Sequence, residues 1–145
     1  AYLVLYSISN LTVFAAFTAL PGREHIDDFA GAARRHPWLT ATLAIGALSL
    51  VGTPPTAVFF GKLAVFTSTW DGGLVWLVVV AAINTVVSLF YYLRLFTGPF
   101  RAAPEGRSGP AFPAAPTSVQ ATALVLAAAV LLSGFVAVAI APSLI

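Results

Sequence analysis

Four long apolar blocks alternate with short polar connections along this chain. The blocks cover residues 1–20, 38–70, 74–98 and 118–141, and they contain almost no charged side chains. A helix needs about 20 residues to cross the hydrocarbon core of a membrane. None of the blocks shows the two-residue alternation of a membrane β-strand. The pattern therefore predicts an all-α membrane protein with four transmembrane helices.

The second block, residues 38–70, is too long to be a single straight span. A helix of this length would measure about 49 Å, against a hydrocarbon core of roughly 30 Å. Pro54 and Pro55 lie within it, and a proline ring clashes with the carbonyl four residues earlier, here those of Leu50 and Val51. We therefore predict that the second helix is broken at Pro54-Pro55, where the backbone is buried in protein or lines a wet cavity.

The connections complete a single membrane domain over residues 1–145. We predict polar loops at 21–37 and 99–117, and the Asp-Gly-Gly sequence at 71–73 predicts a tight turn. The chain opens within an apolar run, without an initiator methionine or a leader signal. We expect it to be a fragment that begins within a helix.

Composition agrees with a membrane protein and excludes several kinds of site. The chain is 59% hydrophobic and 8% charged, whereas soluble domains carry about 25% charged residues. It has no cysteine, which excludes disulfides, thiolate metal sites and cysteine-ligated iron–sulfur clusters within it. P-loop, dinucleotide-binding and nucleophile-elbow motifs are also missing. We therefore predict no cofactor or metal bound by this chain, and no nucleic-acid partner.

The positive charges indicate the orientation in the bilayer. Six arginines lie in or beside the first and third connections: Arg23, Arg34, Arg35, Arg94, Arg101 and Arg107. The turn at 71–73 and the C-terminal end carry none. Because cytoplasmic loops are enriched in lysine and arginine, we predict that 21–37 and 99–117 are cytoplasmic. Three tryptophans lie near the inferred interfaces, as aromatic anchors do: Trp38, Trp70 and Trp76.

Lys62 is the one basic residue that this orientation does not explain. It is the only lysine and lies within the apolar stretch 58–66, where a charge costs about 2.5–3.5 kcal/mol at a helix centre. It is eight residues from Trp70, about 12 Å along a helix, and so lies deep in the membrane. Burial disfavours the charged amine, which makes Lys62 a candidate proton-exchanging group. The alternative is a lysine that snorkels or pairs structurally.

Other polar groups within the blocks leave two interpretations open. Hydroxyls lie around the break at Ser49, Thr53 and Thr56; with the freed carbonyls they either hold water or satisfy the backbone. A polar strip follows in the third predicted helix, at Asn84, Thr85 and Ser88. We favour hydrogen bonds between helices for this strip over the lining of a water path to Lys62. No acidic residue of this chain shares the depth of Lys62, so we expect any relay partner elsewhere.

Several segments in combination resemble one protein family. They are DDFAG at 27–31, RRHP at 34–37, LSLVGTPP at 48–55, FFGKL at 59–63, NTVVS at 84–88 and YYLR at 91–94. Together they are similar to the C-terminal part of subunit N of the bacterial proton-pumping NADH:quinone oxidoreductase (respiratory complex I). The resemblance covers about residues 1–98, and the final loop and helix match only in kind.

The resemblance implies a fold and a function. It implies the last four helices of a fourteen-helix antiporter-like fold in the bacterial plasma (inner) membrane, with Lys62 as a proton-relay residue. The family's other relay residues have no counterpart here. The complex uses NADH, FMN, iron–sulfur clusters and quinone, none of them bound by this chain, which carries no redox site. The implied partners are other membrane subunits and the lipid bilayer.

Two alternatives to this function remain at the level of sequence. One is an antiporter-like subunit of a cation/proton antiporter or of a membrane hydrogenase. The other is a structural membrane subunit without a transport role, in which Lys62 only pairs with a neighbour.

Overall fold

The computed structural model describes residues 2–20, 29–54, 56–101 and 116–140. Within these ranges all regular structure is helical, which confirms the predicted all-α class. The elements are α1 (Tyr2–Ala19), α2 (Ala32–Arg35), α3 (Pro37–Val51), α4 (Ala57–Asp71), α5 (Val75–Thr97), a 3-10 turn (Gly98–Phe100) and α6 (Thr117–Ile140).

Within the described ranges, three helices are long and apolar enough to cross a membrane. The candidate spans are Tyr2–Ala19, Val75–Phe100 and Thr117–Ala139. The second predicted block is split into α3 and α4, with 15 residues each, or about 22 Å. Neither half alone crosses a core of roughly 30 Å. The predicted break is therefore present between Val51 and Ala57, although Pro55 itself lies outside the described residues.

The predicted loop boundaries differ from the structure by a few residues. The loop predicted at 21–37 contains the single turn of α2, and α3 begins within it at Pro37. Proline suits the first position of a helix because its missing N–H has no intrahelical partner there. The third predicted helix, 74–98, corresponds to α5, and the 3-10 turn that follows extends into the predicted loop as far as Phe100. Helix α6 begins at Thr117, one residue before its predicted start. Residues 21–28 and 102–115 of the two loops lie outside the described ranges.

Helix α1 lies at the centre and packs against α3 and α6, and α6 also contacts α3 and α4. A buried apolar cluster joins α1 to α3 through Val13, Ala16, Leu43 and Leu50. Gly46 permits the close approach, because a Cβ at this position would lie 2.7 Å from Cγ2 of Val13. Small residues at helix contacts are common in membranes, where packing rather than water exclusion drives association.

Helix α5 lies on the outside of this arrangement, against α3 and α4. Its apolar side chains point away from the other described helices: Phe90 is 81% exposed, Val86 66% and Trp76 65%. Apolar surface has little driving force for burial when its surroundings are lipid. The outer face of α5 is therefore suited to lipid or to further membrane helices.

Candidate functional site

The C-terminus of α3 forms a Schellman motif. Gly52 adopts a left-handed conformation (φ 82°, ψ 51°), which glycine reaches without a Cβ clash. Its N–H donates to the carbonyl of Ser49 at 2.9 Å, and the N–H of Thr53 donates to the carbonyl of Leu48 at 3.2 Å. This pair of bonds satisfies two of the four carbonyls that every helix leaves without intrahelical partners.

Lys62 provides the partner for the other two carbonyls. Its Nζ lies 2.8 Å from the carbonyl oxygen of Val51 and 3.4 Å from that of Leu50. The lysine belongs to the second turn of α4, so the half-helix after the break caps the half-helix before it. The amine also lies at the negative end of the α3 dipole, where a cation is favoured by about 0.3–2 kcal/mol.

Gly52 has two roles. It adopts the left-handed conformation of the turn, and its missing Cβ leaves room for the side chain of Lys62. A Cβ on Gly52 would lie 3.1 Å from Cδ of Lys62 and 3.5 Å from its Nζ. The left-handed turn and the stem of the capping lysine therefore meet at Gly52.

The same motif ends α4 in a different environment. There Gly73 is left-handed (φ 78°), its N–H donates to Trp70, and the N–H of Leu74 donates to Thr69. Residues 71–74 are exposed, so the remaining carbonyls are open to solvent or headgroups. The break after α3 is more enclosed, which explains why a side chain serves as a cap at this end and not at the other.

The hydroxyls around the break satisfy the protein's own polar groups. Thr53 Oγ1 donates to the carbonyl of Leu48 at 3.0 Å, and Thr56 Oγ1 donates to that of Thr53 at 2.8 Å. Ser49 Oγ lies 2.8 Å from Ser9 Oγ of α1, both buried. Of the two interpretations from sequence, the geometry favours hydroxyls that satisfy backbone and tie α3 to α1.

A cavity of about 370 Å³ opens beside Lys62, between α1, α4 and α5. Its polar lining, apart from the lysine, is Tyr2, Tyr6, Asn84, Thr85, Ser88 and Tyr92. The polar strip of α5 thus faces the lysine. Thr85 Oγ1 donates to Ala81 of its own helix, and Asn84 is exposed. This geometry favours the lining of a polar path, which was the less favoured of the two interpretations.

Sequence reasoning missed the tyrosines of this cavity. Tyr2 and Tyr6 lie one turn apart on α1, with ring centroids 6.1 Å apart, and Tyr92 of α5 lines the same cavity. The spacing of four residues between Tyr2 and Tyr6, which places both rings on one face of a helix, was the available signal. Tyr2 also packs tightly on α4, since a Cβ on Gly61 would lie 2.6 Å from its Cδ2.

Arg94, one of the arginines that indicated the orientation, does not belong to the described lining of this cavity. Arg94 is exposed near the end of α5. Glu24, His25, Asp27 and Asp28 lie outside the described residues. Among the residues that are described, no three His, Cys, Asp or Glu side chains are grouped as metal ligands, and the described lining of the cavity contains no carboxylate.

Comparison with known proteins gives consistent matches. The family described as NADH:quinone oxidoreductase/Mrp antiporter, transmembrane, matches residues 1–88. NADH-quinone oxidoreductase subunit N of Mycobacterium sp. (strain JLS) is 47% identical over 137 residues, which is 94% of this chain and 29% of that protein. Subunit N 1 of Streptomyces griseus is 47% identical over 92% of this chain and 28% of its own length.

A more distant relative is also similar to this chain over only a small part of its own length. NAD(P)H-quinone oxidoreductase subunit 2 of Nostoc punctiforme is 41% identical over 65% of this chain and 18% of its own length. The chain thus spans less than a third of the length of the curated relatives that it matches. The family match includes the helix break, Lys62 and the polar strip of α5.

Proposed function

Because the chain belongs to the NADH:quinone oxidoreductase/Mrp antiporter family, we propose that it is part of a proton-translocating subunit of a quinone-reducing complex in a bacterial plasma membrane. Lys62 takes up and releases the proton, and the redox reaction takes place elsewhere in the complex. The names of the relatives support this assignment. In this proposal, other subunits supply NADH oxidation, FMN, iron–sulfur clusters and the quinone site.

Lys62 caps the end of α3 and also lines the cavity. This double position is the observation that supports a proton-carrying role. A protonated lysine amine has three N–H donors and no acceptor. Two of them reach the carbonyls of Leu50 and Val51, so one is left for the cavity, which the lysine also lines. The carbonyls and the dipole of α3 stabilise the ammonium, which opposes the cost of burying it.

Release of the proton weakens the cap without abolishing it. A neutral amine keeps two N–H donors and gains a lone pair, but its hydrogen bonds lose the charge assistance that makes them about twice as strong. The two protonation states of Lys62 therefore hold the end of α3 with different strength. This difference gives proton transfer a direct mechanical effect on the broken helix.

The cavity offers a route for the proton toward or away from Lys62. The side chains of Asn84 and Ser88 can both donate and accept hydrogen bonds, and a volume of about 370 Å³ is well above the space that one water requires. A chain of waters between these groups and the amine would conduct a proton. The cavity thus supports a relay that continues beyond Lys62 into the rest of the subunit.

A purely structural role is the second candidate, and the cap itself favours it. Lys62 satisfies two backbone carbonyls within its own chain, which explains a buried lysine without any proton transfer. In both roles Lys62 makes the same contacts with the carbonyls of Leu50 and Val51. The roles differ in whether the amine must also release its proton.

Replacing Lys62 by arginine in the full-length subunit separates the two roles. Arginine keeps a positive charge and several donors for the cap, but it does not release its proton in proteins. We expect K62R to allow assembly of the complex and to lower the number of protons pumped per quinone reduced, measured in proteoliposomes. Lys62→Ala should lower both assembly and pumping. Unchanged pumping in an assembled K62R complex would exclude the relay role.

A control variant and a second measurement complete this test. Arg94→Lys exchanges the same two residue types at an exposed position of α5 and should leave both assembly and pumping unchanged. The family description also includes Mrp antiporters. Proton movement driven by a sodium gradient, without quinone reduction, would favour a cation/proton antiporter subunit instead.

A further inference from the structure

A second cavity, of about 560 Å³, lies at the end of the molecule that carries the arginines. Arg34 and Arg35 of α2 line it together with Arg101, which follows the 3-10 turn, and its other described lining is Gly31, Ala33, Pro99 and Phe100. This volume is within the range of small-molecule sites, roughly 300–1,000 Å³. Three guanidinium groups and no carboxylate thus belong to the described lining of one cavity.

The two connections that supply these arginines are fixed to each other. The N–H of Gly31 donates to the carbonyl oxygen of Arg101 at 2.9 Å, and α2 packs against the 3-10 turn. Gly98 and Pro99 are buried at the contact. The cavity is therefore held in shape by backbone contacts, and these contacts do not use the side chains of Arg34 and Arg35.

The charges of α2 are available to a ligand. Arg34 and Arg35 are exposed, and the described part of the chain provides neither of them with a carboxylate partner. Adjacent like charges repel each other and attract an anion. A guanidinium group binds a phosphate through two parallel hydrogen bonds, which makes arginine the preferred residue for phosphate recognition.

The surroundings of the cavity indicate the source of the phosphate. Phe100, in its lining, is 58% exposed, and Trp38, three residues after Arg35, is 74% exposed. Exposed aromatic rings beside arginines are typical of the headgroup level of a membrane. Basic pockets between membrane helices on the cytoplasmic side bind anionic lipid headgroups, and an acyl chain needs an apolar surface such as these rings provide.

We propose that this cavity binds the phosphodiester headgroup of an anionic phospholipid from the cytoplasmic leaflet. Arg34 and Arg35 hold the phosphate, and the lipid tail descends past Phe100. The proposal depends on the orientation inferred from the arginines and is independent of any role of Lys62. The lipid would join the α1–α3 connection to the end of α5 at the membrane surface.

The test uses the assembled complex in nanodiscs and a photoreactive phosphatidylglycerol whose reactive group is near its phosphate. We expect adducts within residues 29–36 and 98–101, located by peptide mass spectrometry. Arg35→Gln should reduce labelling about five-fold, and R34Q/R35Q by more than ten-fold, since each arginine near the surface contributes about 1 kcal/mol. Arg94→Gln, which removes one charge outside the described lining, is the matched control and should label as the wild type does.

Three results would overturn the proposal. The first is equal labelling of the wild type by a photoreactive phosphatidylcholine, a comparison that needs no variant to fold. The second is equal loss of labelling in Arg35→Gln and Arg94→Gln. The third is complete competition by millimolar inorganic phosphate in the wild type, because the cavity would then be a site for free anions rather than for lipid.

Discussion

The Nζ of Lys62 lies 2.8 Å from the carbonyl oxygen of Val51, eleven residues earlier and across the helix break. The bond makes a side chain of α4 part of the backbone hydrogen bonding of α3. Lys62 therefore stabilises the fold at the same place where the proposed function requires it to exchange a proton. Substitutions at Lys62 and at the residues around it can separate these two effects.

Removing the cap should destabilise the protein. Lys62→Met keeps an unbranched apolar stem and removes every donor, which leaves the carbonyls of Leu50 and Val51 unpaired. A buried unsatisfied polar group costs about 1–3 kcal/mol, and the loss of a half-buried charge offsets part of this. We expect the free energy of unfolding of the full-length subunit in micelles to fall by about 1–3 kcal/mol. The free energy of unfolding of Lys62→Gln should lie between those of Lys62→Met and the wild type. Equal stability of all three proteins would contradict the capping role.

Substitutions at Gly52 should test the conformation on which the cap depends. Alanine at φ 82° incurs a left-handed strain of about 1–2 kcal/mol, and its Cβ would press on the Lys62 stem. We expect Gly52→Ala to lower stability by about 1–3 kcal/mol and to reduce pumping. Gly72→Ala is the control, because Gly72 has a negative φ and lies in the exposed turn. A neutral result for Gly52→Ala in thermal unfolding would argue against the close fit.

The buried contact between Ser9 and Ser49 should contribute to the packing of α1 on α3. Ser9 Oγ also bonds its own helix at Leu5, so Ser9→Ala removes two bonds and leaves the hydroxyl of Ser49 without this partner. We expect each single alanine variant to cost about 1 kcal/mol and the double variant to cost less than the sum. Hydrogen bonds between membrane helices have coupling energies near 0.6 kcal/mol. Ser7→Ala, at an exposed residue whose hydroxyl donates to its own helix at Leu3, should be close to neutral.

The polarity of the cavity should affect the rate of proton transfer more than stability. Asn84→Leu replaces an exposed amide in the cavity wall by an apolar side chain, which removes partners for water. We expect the rate of pumping to fall about ten-fold, which corresponds to about 1.4 kcal/mol in the barrier. The free energy of unfolding should change little. Val86→Leu, an exposed position outside the described lining, is the control. Pumping at the wild-type rate in Asn84→Leu would show that the proton does not pass this wall.

The sequence predicted the elements of the site better than their arrangement. Proline chemistry located the break and identified Leu50 and Val51 as the residues with freed carbonyls, and hydrophobicity singled out Lys62. The contact between them was not predicted, because it depends on the angle at which α4 leaves the break. Neither residue spacing nor helical period determines that angle. The same reason explains why Asn84 and Ser88 were assigned to helix contacts: the side of α5 that faces α4 is set by tertiary packing.

The bond between Gly31 and Arg101 has a mechanical consequence. Because it joins two main-chain groups, no substitution except proline at position 31 removes its donor or its acceptor. It acts as a pivot that holds one end of α5 against the start of α3. An outward swing of α5 about this pivot would be largest at the far end, where Gly72 and Gly73 connect it to α4.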